Sequence, residues 1–152
     1  MPSSKPTDAA AADALYRRIQ ASFERQGMMH HLGARLVRVE PGLCEVAMPY
    51  SERVTQQQGG FHGGAMGALA DIAGGYAGLT VAPDGMEVTT VEYKINFLRA
   101  LKGGTLHATG RVLRAGRRVI VTVADVTQLT DDGRRIDCAL MQQTLVPVDK
   151  TY

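Results

Sequence analysis

The sequence predicts an α+β fold in which an antiparallel β-sheet wraps around one long, glycine-rich central helix. Residues 59–82 are apolar over a length that suits a buried helix. Glycine in a helix interior costs about 1 kcal/mol relative to Ala, so it is favoured there only where another backbone approaches closely. The segment nevertheless contains four internal glycines: Gly67, Gly74, Gly75 and Gly78. From residue 86 onward the hydrophobic period changes from helical to two, which predicts a run of strands.

A first helix is predicted at the N-terminal end. Residues 1–6 are polar, and we expect a flexible tail there, followed by a helix over residues 7–26. Thr7 or Asp8 can cap this helix, and Gly27 is placed to end it. Its apolar residues form one stripe, which predicts a helix on the outside of the domain: Leu15, Ile19 and Phe23.

Two short strands are predicted before the central helix. His30 and His31 precede them in a linker, either as a solvated pair or as the rim of a pocket. The turn dipeptide Pro41-Gly42 separates two extended segments, and a polar loop follows. The two strands and the loop cover residues 34–40, 43–48 and 51–58. The central helix then begins at Gly63 or Gly64 and ends before the turn at residues 83–85.

Four further strands follow the central helix. In residues 86–98, strict alternation places Val91, Tyr93, Ile95 and Phe97 on one face and Thr90, Glu92, Lys94 and Asn96 on the other. Short glycine-containing turns join the remaining strands, which favours an antiparallel meander over βαβ units. Those strands cover residues 105–113, 117–130 and 134–146, with a tight hairpin at Ala115-Gly116.

Composition favours one globular domain over residues 7–152. Of the 152 residues, 45% are apolar and 21% are charged, as in ordinary soluble domains. The net charge of +2 and the absence of tryptophan give no support to nucleic-acid binding. Asp71 would lie near the bilayer centre if the central segment spanned a membrane, so we expect no membrane span. No signal peptide pattern is present, and we expect a cytoplasmic protein in which Cys44 and Cys138 are free thiols.

The start of the central helix and Asp71 are the candidate site. A helix that begins at Gly63 or Gly64 points free N–H groups out of its first turn, which can hold a developing oxyanion. Gln56 in the preceding loop can add a side-chain donor. Asp71 lies on about the same face but roughly 10–12 Å along the axis, too far for one carbonyl carbon to reach both.

A second copy of the helix, packed antiparallel across a twofold axis, would close that distance. The prediction is an obligate homodimer with two composite sites. Asp71 then acts as general base on a water molecule or attacks the carbonyl itself, and the sequence leaves both routes open. No metal-ligand spacing and no phosphate-binding glycine loop is present, so we expect no metal and no cofactor; His107 is expected to be structural.

The stretch QQQGGFHGGAMGALAD resembles the core motif of the hotdog-fold acyl-CoA thioesterases, in the PaaI-like and 4-hydroxybenzoyl-CoA group. VTTVEYKINFLRA and RVLRAGRRVIV resemble the next two stretches of that group, so the resemblance covers residues 56–123 most strongly. It implies a homodimer, commonly doubled to a homotetramer, that acts on acyl-CoA thioesters. Gly63 would then supply the N–H to the thioester carbonyl, Gln56 would assist it, and Asp71 would come from the partner chain.

The same resemblance implies roles for further residues. His62 would shape the loop and the site, and Thr90 would position water, although Thr89 is as plausible from the alternation. The arginines of the predicted hairpin lie where related proteins use basic residues near the CoA phosphates, while a solvated hairpin end explains them equally well: Arg114, Arg117 and Arg118. The expected substrate-binding surface near the helix includes Gly64 and Phe61, with Met66, Leu69 and Tyr76 as pocket lining.

The function predicted from the sequence is hydrolysis of an aryl- or medium-chain-type acyl-CoA to free acid and CoA. Two alternatives remain at this point: a hotdog hydratase or dehydratase acting on enoyl thioesters, and a non-catalytic acyl-CoA-binding protein.

Overall fold

The computed structural model describes residues 6–152, which form three helices, a short 3₁₀ turn at Glu52–Val54 and six strands. The helices are α1 (Pro6–Phe23), α2 (Gly27–Leu32) and α3 (Gly63–Leu79). The strands are β1 (Arg35–Glu40), β2 (Leu43–Pro49), β3 (Met86–Phe97), β4 (Thr105–Ala115), β5 (Ile120–Leu129) and β6 (Arg135–Asp149). The prediction of a tail falls on residues 1–5, outside the described part of the chain, and on Pro6, which begins α1.

The six strands form one antiparallel sheet in the order β1-β2-β4-β5-β6-β3, with β1 and β3 at its edges. Helix α3 packs across one face of the sheet and contacts β2, β3, β4, β5 and β6. Its residues Leu69, Ala70 and Ala73 have no exposed surface and belong to the hydrophobic core. The predicted α+β fold, a sheet wrapped around a glycine-rich helix, is confirmed. None of the helices in residues 6–152 combines the length and the apolar character needed to cross a bilayer.

The close approach that the helix glycines indicate is visible at the contact between α3 and the sheet. A Cβ atom at Gly110 of β4 would stand 2.2 Å from the backbone oxygen of Ala73 in α3. At Gly78 a Cβ would stand 2.3 Å from Cδ1 of Leu145 on β6. Gly75 is different, because a Cβ there meets nothing within 4 Å. Glycines on both the helix and the sheet, Gly78 and Gly110, therefore allow α3 to lie this close to the sheet.

The N-terminal helix is shorter than the sequence predicts. Helix α1 ends at Phe23, and Gly27 begins α2 instead of capping α1; Thr7 and Asp8 lie inside α1. The break occurs at Gln26, whose extended conformation (φ −86°, ψ 103°) precedes a short helix that buries Met29 and Leu32. His30 and His31 thus belong to a helix, and the ring of His30 lies 2.7 Å from the carbonyl oxygen of Glu24, beyond the end of α1.

A β-bulge in β3 overturns the predicted alternation at Thr90. The pairing with β6 shifts register between Thr90 and Glu92, so one extra residue, Val91, is accommodated there. Tyr93 and Phe97 point toward α3, and the extra residue brings Thr90 to the same side, where its hydroxyl contacts Asp71. Strict alternation had placed Thr90 on the opposite face.

The hairpin between β4 and β5 also differs from the prediction. Strand β4 continues to Ala115 and β5 begins only at Ile120, so the turn covers residues 116–119. The N–H of Gly116 donates to the carbonyl oxygen of Val119 at 2.9 Å, which closes this turn. Arg117 and Arg118 therefore lie in the turn and not at the start of β5.

Candidate active site

Asp71 lies on the partly exposed face of α3, beside a cavity of about 410 Å³. Its Oδ1 atom accepts a hydrogen bond from the Thr90 hydroxyl at 2.8 Å and a second one from the side-chain amide of Gln143. The other oxygen, Oδ2, receives no hydrogen bond from residues 6–152. One oxygen of the carboxylate is thus held by protein donors while the other is left for a ligand or water. Thr90, and not Thr89, makes this contact, although both threonines line the cavity.

Gln143 is a residue of the site that sequence reasoning missed. Its amide nitrogen also donates to the backbone oxygen of Asp71 at 3.2 Å and lies 3.0 Å from the Thr90 hydroxyl oxygen. Its amide oxygen accepts from the hydroxyl of Thr122 on β5 at 2.8 Å. The signal that could have revealed it is a polar residue at the buried phase of β6, two positions from the fully buried Leu145.

The first turn of α3 presents the N–H group of Gly63 next to the loop. His62 is the N-cap, and its Nδ1 atom accepts the N–H of Gly64 at 2.7 Å. The N–H of Gly63 has no partner among residues 6–152. The ring of Phe97 lies beside Gly63, 3.3 Å from where a Cβ would stand. Of the two glycines that the sequence singled out, Gly63 therefore keeps a free donor and Gly64 uses its own in the cap.

Gln56 sits in the tight loop that leads into α3. Its side-chain oxygen accepts the N–H of Gln58, which leaves its Nε2 group without a partner in the described residues. Phe61, expected at the substrate surface, is only 3% exposed and packs edge-on against Tyr50 with ring centroids 5.3 Å apart. Phe61 anchors this loop and does not line the cavity beside Asp71.

The far end of the cavity is polar. Tyr76 on α3 accepts a hydrogen bond from Gln26 at 2.7 Å and lies 3.1 Å from the Ser22 hydroxyl. Ser22 in turn lies 3.1 Å from the hydroxyl of Tyr152, which donates to Glu87 at 2.6 Å. Burial raises the pKa of Tyr76 above its ordinary value, so its hydroxyl stays neutral.

The predicted pocket lining is correct only in part. Tyr76 lines the cavity, but Met66 and Leu69 do not: they are 2% and 0% exposed and belong to the core against the sheet. Arg114, Arg117 and Arg118 are exposed at the β4–β5 hairpin, and none of them lines the cavity. In residues 6–152, no three His, Cys, Asp or Glu side chains lie close enough to hold a metal ion.

Known proteins resemble this chain in sequence. Residues 58–133 match the model of the Thioesterase superfamily. A proposed esterase of Saccharolobus solfataricus is 42% identical over 90 residues, which cover 59% of this chain and 64% of that protein, so the chain spans less than two thirds of that relative. The proofreading thioesterase EntH of Klebsiella pneumoniae is 36% identical over 100 residues, which cover 66% of this chain and 72% of that protein.

Solved structures resemble it in fold. The crystal structure of a thioesterase family protein from Silicibacter pomeroyi matches with a TM-score of 0.85 and 34% identity, covering 90% of this chain and 99% of that one. The E. coli PaaI protein of the phenylacetic acid degradation operon matches with a TM-score of 0.80, covering 92% of this chain and 97% of that one; at 23% identity it supports the fold alone. With its hotdog architecture and its matching family segment, the chain belongs to the Thioesterase superfamily.

Proposed function

We propose that this protein hydrolyses an acyl-CoA thioester to the free acid and CoA. The observation that carries the proposal is the state of Asp71: Oδ1 is held by two donors, Oδ2 receives none from residues 6–152, and the residue lines a cavity beside the helix. A carboxylate with one open oxygen can take a proton from water or attack a carbonyl carbon. The thioesterase name of the EntH relative, 36% identical, agrees with this chemistry.

The site is proposed to be composite, formed by two copies of the chain. Gly63 and Asp71 are eight positions apart on one helix, about 12 Å along its axis. A single thioester carbonyl cannot reach both, whereas an antiparallel partner helix brings the Gly63 of one protomer to the Asp71 of the other. The edge strand β3 beside this helix exposes apolar side chains that a partner would cover: Val91 at 55%, Tyr93 at 46% and Phe97 at 51%.

In the proposed reaction, the thioester oxygen lies between the N–H of Gly63 and the amide nitrogen of Gln56. These donors stabilise the oxyanion that forms when the carbonyl is attacked. Asp71 of the partner activates the attacking water or attacks directly, and Thr90 holds its other oxygen and helps to position water. His62 maintains the first turn of α3. In the water route, CoA departs as the thiol with the proton that Asp71 took from water. In the direct route, the CoA thiolate leaves first and takes a proton from solvent, and a water molecule then hydrolyses the acyl–Asp71 anhydride to the free acid.

The acyl group is proposed to occupy the cavity beside Asp71. Apolar side chains that line this cavity include Ile72, Leu79 and Val88, and its volume of about 410 Å³ lies within the range of small-molecule sites. An aryl or medium-chain acyl group fits such a space. Gly64 is proposed to lie where the substrate enters the composite site, and the CoA phosphates are assigned to the arginines of the β4–β5 hairpin. Dimers are proposed to pair further into a tetramer through the outer sheet face, where Leu140 is 46% exposed.

The N–H of Gly63 can be deleted with little change in backbone conformation. Pro is favoured at the first position of a helix, and the preceding His62 has φ −69° and ψ 132°, which suits a residue before proline. Gly63→Pro is expected to lower kcat/KM by about 10²–10³-fold. Gly63→Ala is the matched control, because it adds the same Cβ beside Phe97 but keeps the N–H. Equal activity of the two variants would contradict the assignment.

The assay follows free thiol release from a panel of aliphatic and aromatic acyl-CoAs. Asp71→Asn is expected to lower kcat by about 10²–10⁴-fold. Hydration without thiol release would instead identify a hydratase, and tight binding with neither reaction would identify a binding protein; either result overturns the proposal.

Mixing the two inactive variants tests the composite site. After subunit exchange between Gly63→Pro and Asp71→Asn, half of the dimers are mixed, and each mixed dimer has one site without either substitution. About a quarter of the wild-type activity should therefore return. No recovery after verified exchange would place both residues of a site in the same protomer.

A further inference from the structure

We propose that Gln143, held by Thr122, is a positioning residue that fixes the carboxylate of Asp71 for the reaction. The inference rests on the proposed function of Asp71 and adds a support from β5 and β6 to it. Gln143 does not touch the substrate in this scheme. It holds Oδ1, so that Oδ2 is the oxygen presented to the cavity.

The orientation of the Gln143 amide is determined by its neighbours. On one side lie two oxygens of Asp71, the backbone oxygen and Oδ1. The backbone oxygen can only accept a hydrogen bond, and so can Oδ1 when the carboxylate is ionised. A flipped amide would direct its oxygen at these two acceptors, so the NH₂ group must face Asp71. On the other side the Thr122 hydroxyl donates to the amide oxygen at 2.8 Å. The amide therefore contributes donors to Asp71 in one orientation only.

The burial of this pair shows that packing alone does not explain it. Gln143 is 1% exposed and Thr122 is 0% exposed. An amide at such a position needs every hydrogen bond, whereas an apolar side chain of similar size has no such requirement. Apolar residues occupy the neighbouring inward positions of β6, Met141 and Leu145.

Helix α3 is shaped to admit the amide. A Cβ at Gly74 would stand 2.1 Å from the amide oxygen of Gln143 and 2.8 Å from the hydroxyl oxygen of Thr122. Gly74 lies three residues after Asp71 and next to the side chains of Gln143 and Thr122. A side chain at this position would occupy the space of the Gln143 amide, so glycine here allows Gln143 to reach Asp71.

A fixed carboxylate matters because the reaction requires Oδ2 at a defined place. In Gln143→Leu only the Thr90 hydroxyl would still hold Oδ1, and the side chain of Asp71 gains rotational freedom. Misplacement by about 1 Å can cost on the order of 10²-fold in rate. We expect Gln143→Leu to lower kcat by about 10- to 100-fold while KM changes by less than about threefold, because the cavity walls are retained.

Thr122 supplies the matched pair of variants. Thr122→Val removes the hydroxyl that holds the amide and is expected to lower kcat in the same way, to a smaller extent. Thr122→Ser keeps the hydroxyl and is expected to retain kcat. Gln128→Leu is the control for losing a buried amide as such: Gln128 is 3% exposed on β5 and donates to the backbone oxygens of Lys102 and Gly103, not to Asp71. It is expected to keep kcat within about threefold.

A double-mutant cycle separates a positioning role from a purely structural one, because it measures whether the effect of Gln143→Leu on the rate depends on the carboxylate of Asp71. In the Asp71→Asn background, Gln143→Leu should cause no further loss of the residual rate, because the carboxylate that it orients is gone. An equal loss in both backgrounds would overturn the proposal. If Gln143→Leu fails to fold, the Thr122→Val and Thr122→Ser pair decides: equal kcat in those two folded variants would also overturn it.

The failure of this inference is distinguishable from the failure of the proposed function. Full activity in Asp71→Asn would remove the function itself. Loss of activity in Asp71→Asn together with unchanged kcat in folded Gln143→Leu and Thr122→Val would leave the function standing and remove only the positioning role.

Discussion

At the scale of single residues, His62 is the N-cap of α3. Its Nδ1 atom accepts the N–H of Gly64 at 2.7 Å, so the ring is neutral with its proton on Nε2. This hydrogen bond fixes the first turn of α3, from which the free N–H of Gly63 emerges. We therefore interpret His62 as a helix cap.

His62→Ala is expected to lower the free energy of unfolding by about 1 kcal/mol, as for other N-cap deletions. His62→Asn keeps an acceptor at the cap and should retain both stability and most of kcat. Urea unfolding and thiol-release assays measure the two quantities. Equal loss of kcat in both variants, with the stability of Asn preserved, would indicate that the imidazole takes part in proton transfer instead.

Both cysteines are expected to resist alkylation in the folded protein. Burial raises the pKa of Cys44 to about 12 and that of Cys138 to about 11. The thiolate is the reactive form, and at pH 8 only a very small fraction of either buried thiol is ionised. Iodoacetamide at pH 8 should leave the native mass and the activity unchanged and should label both residues in guanidinium chloride. Rapid labelling of Cys44 in the native state would contradict this expectation.

The residues of the candidate site differ in how far the sequence revealed them. Asp71 could be found because an acid stands out within an apolar helix, and Gly63 because glycine and a helix start coincide. Gln143 left a local signal, a polar side chain at an inward position of β6, but not its role, because its partner Asp71 is 72 positions away and the hydrogen bond leaves no local pattern. The contact of Ser22 with Tyr76, 54 positions apart, was hidden for the same reason.

At the scale of elements, the glycines of α3 and β4 divide into two kinds. Gly110 faces the backbone of Ala73 at a distance that no side chain can enter, whereas Gly75 faces open space in the protomer. The sequence alone predicted close contact all around the helix. In residues 6–152 the structure shows this contact on the sheet side, at Gly74, Gly78 and Gly110.

Two alanine substitutions with opposite effects test this division. Gly110→Ala should lower the free energy of unfolding by about 1–3 kcal/mol, because the new Cβ overlaps backbone atoms. Gly75→Ala should raise it by up to about 1 kcal/mol, through helix propensity. Urea unfolding at equal protein concentration measures both. A destabilised Gly75→Ala would mean that another copy of the helix presses on this position.

Strand boundaries and bulges were the least predictable elements. The alternation in β3 correctly indicates a strand, and its bounds are right within one residue. The bulge at Val91 could not be predicted, because it depends on the pairing with β6 and not on the β3 sequence. Helix α2 was missed since Gly27 is a normal helix terminator, and burial of Met29 and Leu32 outweighs that local preference.

At the scale of the whole molecule, β3 is an edge strand of the sheet that exposes apolar side chains. An exposed edge strand with apolar side chains is a site for pairing with another chain. Val91 at 55% exposure lies in the bulge of β3, and Val37 at 36% lies at the register shift of β1, the opposite edge. The two valines form a matched pair at the two ends of the sheet.

Val91→Lys is expected to shift the protein from dimer to monomer and to abolish thioester hydrolysis, because a charge would be buried at the proposed interface. Val37→Lys should leave both the dimer and the activity unchanged. Sedimentation velocity and the thiol-release assay report the two properties. A dimeric, active Val91→Lys variant would mean that the subunits meet elsewhere.

The overall architecture could be predicted because it depends on patterns that span whole segments: an apolar glycine-rich helix, the change of period after it and the turns between strands. The strand order β1-β2-β4-β5-β6-β3 could not, because pairing β3 with β6 requires a long-range contact that no single segment encodes.

The bulge at Val91 has an evolutionary consequence. Loss of that one codon would remove the extra residue and restore plain alternation, and Thr90, still paired with Leu145, would keep its hydroxyl on the side of Asp71. Descendants of this gene that lose the codon would thus keep the surroundings of the acid, whereas those in which Val91 takes a regular place in the ladder would turn Thr90 away from it.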